Sequence, residues 1–371
     1  MKVIIAAAGT GGHINPGIAI ANKIKKEEPD SEIIFVGTSR GIENDLVPRA
    51  GYELRTVEAY GLSKKISIKT VVNNYKTLKG FRQAKKLVDE FQPDIVIGTG
   101  GYICGGVISS AYKKGIPTVI HESNAFPGKA TKFLEKKLSK ILLGFDDAKE
   151  YLEKSPKVVT TGNPTKVVGK DLSPEEKNKI LTDMDLIDNM PVVLIFGGSQ
   201  GAQKINESVV DLIKKERNQK YQILWAAGPK QYDIVKEDFA KSGINIDEIK
   251  NTKIVPYIYN MEEIMNASDL IVARSGAMTI TEIALCGKPS IFIPLSSRGA
   301  NRQVENAKVL EKLNAARIIL NDEVNSENLG NTIDDLLSDP IELKEMGENA
   351  RQIAKYNVED RIYKEIKELV K

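Results

Sequence analysis

The chain uses one local device twice: a short apolar strand runs into a glycine-rich turn and then into a helix. The first copy, residues 3–20, reads VIIAAAGTGGHINPGIAI, and the second, residues 192–212, reads VVLIFGGSQGAQKINESVVDL. Each turn presents backbone N–H groups at the positive end of a helix, which suits a phosphate. Two copies about half a chain apart predict two α/β domains that face each other and hold a ligand between them.

The rest of the chain continues the alternation of strand and helix. Strands are predicted at residues 3–8, 32–36, 95–98, 118–121, 192–196, 222–226, 253–255, 270–273 and 290–294. Helical patterns between them are typical of doubly wound parallel sheets, which bind ligands beyond the carboxyl ends of their strands. We predict a first domain of residues 1–163 plus a C-terminal helix, 347–371, and a second domain of residues 164–346.

Composition limits the partners and the compartment. The 371 residues carry a net charge of only +3, which argues against a nucleic-acid binder. Cys104 and Cys286 form no CxxC pair, so we interpret both as reduced core thiols of a cytoplasmic protein. The N-terminus is too short for a signal peptide, and no stretch approaches the roughly 20 apolar residues of a membrane span. These features predict a soluble or peripheral protein.

The glycine turns do not fit two common nucleotide-binding motifs. Gly9-Thr10-Gly11-Gly12-His13 lacks the third glycine of a dinucleotide fingerprint, and the next strand ends without the expected acid. The chain has no GxxxxGK[ST] sequence, so an ATPase P-loop is excluded. Two histidines, no carboxylate cluster at ligand spacing and no DxD pair at a strand end argue against a metal. We therefore expect no metal and no cofactor.

The chain has two histidines, His13 and His121. His13 ends the first glycine turn, where an imidazole could take a proton from an attacking hydroxyl. We favour a catalytic role for His13. His121 opens the polar loop His121-Glu-Ser-Asn124, and for it we favour a structural role over catalysis.

A third segment, Arg274-Ser-Gly-Ala-Met-Thr-Ile-Thr-Glu282, follows a buried-type strand and turns into a helix. A carboxylate at Glu282 could accept two hydrogen bonds from the vicinal hydroxyls of a ribose. Alternatively, Glu282 is a first-turn glutamate that only stabilises the helix dipole.

Several motifs carry a family resemblance. They are GTGGH at 9–13, GGY at 100–102, HExN at 121–124, GNP at 162–164, GGSQGA at 197–202 and RSGAxTxxE at 274–282. In this order they resemble the MurG family of bacterial N-acetylglucosaminyltransferases over nearly the whole chain. The resemblance implies the GT-B architecture, in which two Rossmann-like doubly wound domains face each other across a cleft.

The resemblance also implies a reaction and its setting. N-acetylglucosamine passes from UDP-N-acetylglucosamine to the 4-hydroxyl of the muramyl sugar of undecaprenyl-linked lipid I, with inversion, giving lipid II for peptidoglycan. Such an enzyme serves cell-wall synthesis, cell shape and division, and works as a peripheral protein on the cytoplasmic face of the membrane.

Motif by motif, the resemblance implies site residues. Glu282 would hold the ribose, Ile258 would lie against uracil, and Ala277, Met278 and Thr279 would line the nucleotide. Ser199 would meet the diphosphate, and Asn124 and Gln303 would contact the donor sugar. Thr10, Gly11 and Gly12 would face the donor sugar and the acceptor diphosphate beside His13, the candidate base, and Tyr102 would lie on the acceptor side.

The sequence departs from the family pattern at two motifs. After Gly-Asn-Pro the family usually has x-Arg, where this chain has Thr165-Lys166. Lys166 keeps the positive charge for the diphosphate but loses the bidentate fork of arginine. In the histidine motif, Ser123 stands where the family has glutamine.

Residues 59–88 contain no Asp or Glu and many Lys and Arg, including Lys76 and Lys79. The apolar residues at helical spacing among them are Val71, Tyr75, Leu78 and Phe81. A basic, apolar helix face predicts docking on anionic lipid. Alternatively, the apolar residues face the core and the lysines are only a solvated surface.

Other functions remain open on sequence grounds. A glycolipid synthase of the same superfamily has the same architecture but usually a different glycine pattern before the glutamate. A UDP-sugar epimerase on this fold needs further acid and base groups, of which the chain supplies few. A non-catalytic UDP-sugar-binding or membrane-recruiting module would not depend on His13.

Overall fold

The computed structural model describes residues 1–60, 68–187, 189–198, 201–295 and 302–370, with the side chains of 68–75 excepted. The chain divides into two compact units, Met1–Thr165 with Lys355–Lys371, and Lys166–Ala354. Each unit is an α/β domain built on its own parallel sheet. The predicted α/β class with two Rossmann-like domains is confirmed.

Unit 1 alternates strands with helices in chain order. Its elements are β1 (Lys2–Ala7), α1 (Gly11–Glu27), β2 (Glu32–Gly37), α2 (Glu43–Arg49), β3 (Glu53–Thr56), α3 (Ile68–Phe91), β4 (Ile95–Gly100), α4 (Ile103–Tyr112), β5 (Thr118–Glu122), α5 (Lys129–Leu134), β6 (Lys140–Leu143) and β7 (Val158–Thr160). Strands β3, β6 and β7 had no counterpart in the sequence prediction, because they are short and lack a clear period.

The seven strands of unit 1 run parallel in the order β3-β2-β1-β4-β5-β6-β7. The order reverses between β1 and β4, which makes the carboxyl ends of these strands the switch point where such sheets bind ligands. β1 and β4 are almost wholly buried, as their unbroken apolar runs predict for a sheet covered on both faces. The first glycine turn follows β1, and the Gly100-Gly101-Tyr102 segment closes β4.

Unit 2 repeats the plan. Its elements are α6 (Pro174–Thr182), β8 (Val192–Phe196), α7 (Gln203–Lys214), β9 (Gln222–Ala226), α8 (Tyr232–Lys241), β10 (Thr252–Val255), α9 (Met261–Ala267), β11 (Leu270–Ala273), α10 (Ala277–Cys286), β12 (Ser290–Phe292), α11 (Arg302–Glu311), β13 (Ala316–Ile318), α12 (Ser326–Ser338) and α13 (Pro340–Arg351). The sheet order is β10-β9-β8-β11-β12-β13, all parallel. The switch point lies between β8 and β11, so the second glycine turn and the 274–276 segment flank it.

The chain returns to unit 1 later than the sequence predicted. Residue 347 falls inside α13, where Gly347 lies against the Gly287 carbonyl of the same unit, and the return comes at Lys355. The helical pattern from 347 onward is two helices, separated by a break in which Asn357 adopts φ +54°. The last helix, α14 (Val358–Lys367), buries Ile362 and Ile366 in the core beside α1.

Candidate active site

The first glycine turn leads from β1 into α1. Gly9 has φ +100°, a conformation that favours glycine, and Thr10 is the extended residue before the helix. Helix α1 starts at Gly11, and the first N–H groups of a helix have no partner within it. The turn therefore offers the N–H groups of Gly11 and Gly12 to a ligand, as the sequence predicts.

His13 lies in the first turn of α1, and its ring orientation is fixed. Its Nδ1 lies 2.9 Å from the carbonyl oxygen of Ala8. A carbonyl only accepts, so Nδ1 carries the hydrogen and Nε2 carries the lone pair. The Thr99 hydroxyl donates to the main-chain oxygen of His13 at 2.7 Å. His13 thus has the tautomer that a general base at Nε2 needs.

Two glycines at the end of β4 make room for this arrangement. A side chain on Gly100 would overlap the His13 ring, and a Cβ on Gly101 would lie 2.7 Å from the Ala8 oxygen. Both have positive φ, +134° and +88°. The glycine cluster after β4 therefore serves the imidazole of His13.

Glu43, at the start of α2, also belongs to this region, and sequence reasoning missed it. Its side chain is fully buried, and its Oε2 accepts the Gly9 N–H at 3.0 Å. Oε1 accepts the backbone N–H of Thr38 at 3.0 Å and the Thr38 hydroxyl at 2.7 Å. Burial alone raises the pKa of Glu43, but these bonds outweigh it and hold the pKa below its ordinary value. In the sequence Glu43 looks like any acid at a helix N-terminus, so no signal distinguished it.

His121 has a structural environment. Its Nε2 donates to the Gly162 carbonyl at 3.0 Å, and the Ser123 hydroxyl lies 3.4 Å from Nδ1. Burial lowers the pKa of His121, which favours the neutral ring. This arrangement agrees with the structural role favoured from the sequence, and it gives Ser123 a partner inside the protein.

Glu122 orders the loop after β5, and sequence reasoning missed it as well. The carboxylate is buried and accepts from the backbone N–H and the side-chain Nδ2 of Asn124, at 3.1 and 2.9 Å. Its other oxygen accepts from Gly128 N at 2.7 Å and Thr131 Oγ1 at 2.6 Å. Asn124 is half-buried and anchored by these bonds, so its predicted contact with a sugar rests on a preorganised side chain.

The residues predicted for the acceptor and membrane side differ in exposure. Tyr102 is 61% exposed just before α4, and Leu78 is 65% exposed on α3 beside the exposed Lys79. Phe81 is half-buried, and its ring lies toward Gly105 of α4. This packing agrees, for Phe81, with the alternative interpretation that the apolar residues of the segment face the protein core. Val71 and Tyr75 lie in α3, but their side chains fall outside the described part of the chain.

Lys76 is engaged within unit 1. Its Nζ lies 3.4 Å from the Tyr60 hydroxyl and 5.4 Å from the centre of the Tyr60 ring. The Arg40 guanidinium lies 3.8 Å from the same ring centre, so the Tyr60 ring is close to two cations, those of Lys76 and Arg40.

In unit 2 the second glycine turn is closed by main-chain contacts. Gly201 N donates to Gly198 O at 2.9 Å, and both residues have positive φ, +76° and +84°. A Cβ on Gly201 would lie 2.5 Å from the Ala227 oxygen at the end of β9. The predicted diphosphate contact, Ser199, lies outside the described residues.

A buried amide supports this turn from below, and sequence reasoning missed it. Asn206 of α7 donates to the Ala227 oxygen at 2.9 Å and accepts from the Trp225 indole N–H at 3.2 Å. Its position four residues after the GGSQGA motif is the one sequence signal that could have found it.

The predicted nucleotide residues lie on loops and helices after β10 and β11. Ala277, Met278 and Thr279 form the first turn of α10, where N–H groups are available. Glu282 is half-buried and is the sixth residue of this helix, beyond the turn in which the helix dipole acts. The dipole reading of Glu282 is therefore not supported. Ile258 is only 2% exposed, side chain and main chain together.

Gln303 lies on α11 and is anchored to its surroundings. Its Oε1 accepts the Leu295 N–H at 2.7 Å, which orients the amide with Nε2 as its donor side. The main-chain oxygen of Gln303 accepts from Ser275 Oγ at 2.7 Å, and the buried Asn306 donates to Ser275 O at 3.1 Å. Asn306 is a support that the sequence reasoning missed. Lys166 is exposed and is the first residue of unit 2.

Within the described ranges, no three His, Cys, Asp or Glu side chains gather as a metal would require. Within the same ranges, every helix is too short or too polar to cross a bilayer.

Comparison with known proteins supports this assignment of the fold. Residues 3–143 match the glycosyltransferase family 28 N-terminal domain, and residues 192–362 match the glycosyltransferase family 28 C-terminal domain. Together with the two Rossmann-like units, these matches define a glycosyltransferase of the GT-B class.

Relatives match over the full length. A protein of Thermoanaerobacter sp. (strain X514) is 42% identical over 369 residues, with 100% of both chains covered. One of Ruminiclostridium cellulolyticum is 41% identical over 372 residues, again with 100% of both covered. Both are named UDP-N-acetylglucosamine–N-acetylmuramyl-(pentapeptide) pyrophosphoryl-undecaprenol N-acetylglucosamine transferase.

Among solved structures, Acinetobacter baumannii MurG superimposes with a TM-score of 0.78 at 26% identity, with 99% of each chain covered. The UDP-GlcNAc 2-epimerase of Neisseria meningitidis gives 0.64 at 16% identity, covering 99% of this chain and 100% of its own, and shares the fold alone. The chain belongs to the MurG family of glycosyltransferases.

Proposed function

We propose that the chain transfers N-acetylglucosamine from UDP-N-acetylglucosamine to the 4-hydroxyl of the muramyl sugar of lipid I, giving lipid II. The observation that carries the proposal is His13, whose Nδ1 is tied to Ala8 O at 2.9 Å beside the glycine turn at the switch point of unit 1. A general base at Nε2 suits a reaction in which a sugar hydroxyl attacks. The full-length relatives, which are named for this transfer, support the choice of substrates.

In the proposed mechanism, His13 Nε2 takes the proton of the acceptor 4-hydroxyl as its oxygen bonds to C1 of the donor sugar. The bond from C1 to the diphosphate oxygen breaks, and UDP leaves with the electron pair. Attack from the opposite face inverts the anomeric centre. The N–H groups at the start of α7, with Ser199 and the cation of Lys166, would take up the charge that develops on the diphosphate.

The donor is proposed to bind to unit 2. Glu282 would accept from the ribose hydroxyls, Ile258 would contact uracil, and the first turn of α10 would line the nucleotide. Gln303 would donate from Nε2 to the sugar, and Asn124 of unit 1 would contact the sugar as well. Thr10, Gly11 and Gly12 would meet the donor sugar and the acceptor diphosphate, with Tyr102 on the acceptor side.

The decisive experiment incubates purified protein with labelled UDP-N-acetylglucosamine and a short-chain lipid I analogue. Labelled disaccharide lipid supports the proposal, and His13→Ala should lower the rate by about 100-fold or more, the usual contribution of a general base. UDP binding by the variant, measured by calorimetry, should stay unchanged. Epimerised nucleotide sugar without lipid product would instead favour the epimerase alternative.

We further propose that α3 docks unit 1 on the inner face of the membrane, where lipid I resides. Leu78 is 65% exposed, and Lys79 and Arg82 are exposed beside it. Other lysines of the segment contribute less charge, since Lys85 pairs with Asp89 and Lys86 with Glu90. Each free cation near anionic lipid contributes on the order of 1 kcal/mol.

The test is sedimentation with vesicles of phosphatidylcholine and phosphatidylserine. The double variant Lys79→Glu, Arg82→Glu should bind at least about tenfold more weakly, because two attractions become repulsions. The double variant Lys236→Glu, Lys241→Glu, which reverses two exposed lysines on α8, is the matched control and should bind like the parent. Equal binding by all three proteins would exclude this surface.

A further inference from the structure

We propose that Glu43 is a positioning residue that acts on His13 through the peptide group between Ala8 and Gly9. The inference deepens the proposed function and rests on the role of His13 as the base. The peptide N–H belongs to Gly9 and donates to Glu43 Oε2 at 3.0 Å. The carbonyl of the same peptide belongs to Ala8 and accepts from His13 Nδ1 at 2.9 Å.

The three groups form one hydrogen-bonded chain: carboxylate, peptide, imidazole. A peptide that donates its N–H to a carboxylate is polarised, so its carbonyl becomes a stronger acceptor. The stronger acceptor holds the hydrogen of His13 on Nδ1 and keeps the lone pair on Nε2. In serine hydrolases a carboxylate orients a histidine directly. Here the backbone lies between the two side chains.

The carboxylate is itself oriented for this purpose. Both hydrogen bonds from Thr38 go to Oε1, which leaves Oε2 for Gly9. Two glycines leave the space that Glu43 fills: a Cβ on Gly37 would lie 2.8 Å from its Cγ, and a Cβ on Gly41 would overlap its carboxylate. Glu43 is fully buried, so water does not compete for these bonds.

The other side of the peptide is also enclosed. Gly101 lies against the Ala8 oxygen, and Gly100 lies against the His13 ring. The Ala8–Gly9 peptide is therefore held between Glu43 on one side and the end of β4 with His13 on the other. A change at Glu43 would reach His13 through a contact of fixed geometry.

Glu43→Gln tests the link. Glutamine keeps the shape but has one acceptor oxygen, which the two Thr38 donors claim, so an NH2 group faces the Gly9 N–H. We expect His13 to change from the Nδ1–H tautomer to a mixture of both tautomers, seen by 15N NMR of histidine-labelled protein. The chain has two histidines, so His13→Ala assigns the signals. We also expect kcat to fall about tenfold while KM for UDP-N-acetylglucosamine changes less than twofold.

The matched control is Glu28→Gln, which also removes one negative charge from unit 1. Glu28 pairs with Lys367 and accepts from Tyr363, on the α14 side of unit 1. This variant should keep the His13 tautomer and kcat of the parent. A merely structural role for Glu43 would lower the stability of Glu43→Gln and leave the tautomer of His13 unmoved.

Two results would overturn the proposal. One is a parent protein whose His13 carries its hydrogen on Nε2, a measurement that holds even if Glu43→Gln does not fold. The other is folded Glu43→Gln with the parent tautomer and kcat. If His13→Ala transfers sugar at the parent rate, the base is reassigned, yet the tautomer experiment still decides whether Glu43 acts on His13.

Discussion

The two glycine turns have the same place in their sheets but different supports. The turn of unit 1 is bonded to a buried carboxylate, Glu43, and to the imidazole of His13. The turn of unit 2 contains its own hydrogen bond, from Gly201 N to Gly198 O. Gly201 also lies against the Ala227 carbonyl, which accepts a hydrogen bond from the neutral amide of Asn206.

The difference in chemistry suggests a difference in task. The carboxylate beside the first turn bonds to the peptide that orients His13, the histidine that must accept a proton. A turn supported by neutral groups keeps its helix N-terminus for a diphosphate. The same strand–turn–helix device thus serves proton transfer in one unit and charge stabilisation in the other, under the proposed function.

The largest effect is expected at Gly100. Gly100→Ala places a methyl group on the His13 ring at φ +134°, so the ring must move and kcat should fall about 100-fold. Gly105→Ala is the control, since its Cβ would lie 3.9 Å from the Phe81 ring, an ordinary contact. Steady-state kinetics with UDP titration checks both. If Gly100→Ala weakened UDP binding and kept the parent kcat, the first turn would not be reserved for proton transfer, and the proposed contrast with the second turn would be wrong.

The next effect is expected in the second turn. Gly198→Ala and Gly201→Ala both put a side chain at positive φ, which costs about 1 kcal/mol. At Gly201 the new Cβ would also meet a backbone oxygen, 2.5 Å away, while at Gly198 nothing in the described part of the chain lies within 4 Å of one. Gly201→Ala should therefore weaken UDP binding roughly tenfold more than Gly198→Ala, by calorimetry. Equal losses in the two variants would mean that the approach to Ala227 does not shape this turn.

A smaller effect, on stability, is expected at Asn206. Asn206→Leu leaves the Trp225 N–H without its acceptor in a buried site, which costs about 1–3 kcal/mol of unfolding free energy. Trp225 is the one tryptophan of the chain, so its fluorescence in urea reports the unfolding of unit 2 directly. The exposed Gln203→Leu on the same helix is the control and should change stability by less than about 0.5 kcal/mol. Equal losses of unfolding free energy in Asn206→Leu and Gln203→Leu would show that the Asn206 amide does not support the turn.

The smallest effect concerns pH. The pKa of Glu43 is lower in the folded protein than its ordinary 4.5, so Glu43 stabilises unit 1 above that pH, and this contribution is lost as pH falls through the folded-state pKa. His121, buried and with a lowered pKa, disfavours folding below its ordinary 6.5, in the parent and in any Glu43 variant alike. Glu43→Gln should therefore lose less protection in α1 than the parent between about pH 5 and 3, by hydrogen exchange. A steeper loss in the variant would contradict the sign.

Much of the site could be predicted because its motifs are local. Its motifs lie on continuous stretches whose strand–turn–helix order can be recognised in the amino-acid sequence. They are the glycines of both turns with His13, and the segment before Glu282. The polar residues that hold these turns and loops in place through buried hydrogen bonds could not be predicted. Glu43, Glu122, Asn206 and Asn306 act across elements distant in the chain, and nothing in the sequence separates them from ordinary polar residues.

The sequence by itself determined the two α/β domains, because buried parallel strands leave unbroken apolar runs and tight turns demand glycine. It also determined the family, since six short motifs in order fit few folds. Only the tertiary structure decided that the chain leaves unit 2 at Lys355 and that Phe81 packs against α4. It alone brought Glu43, Gly9, Ala8 and His13 into one chain of hydrogen bonds, because the partners of a buried polar group are set by packing between elements.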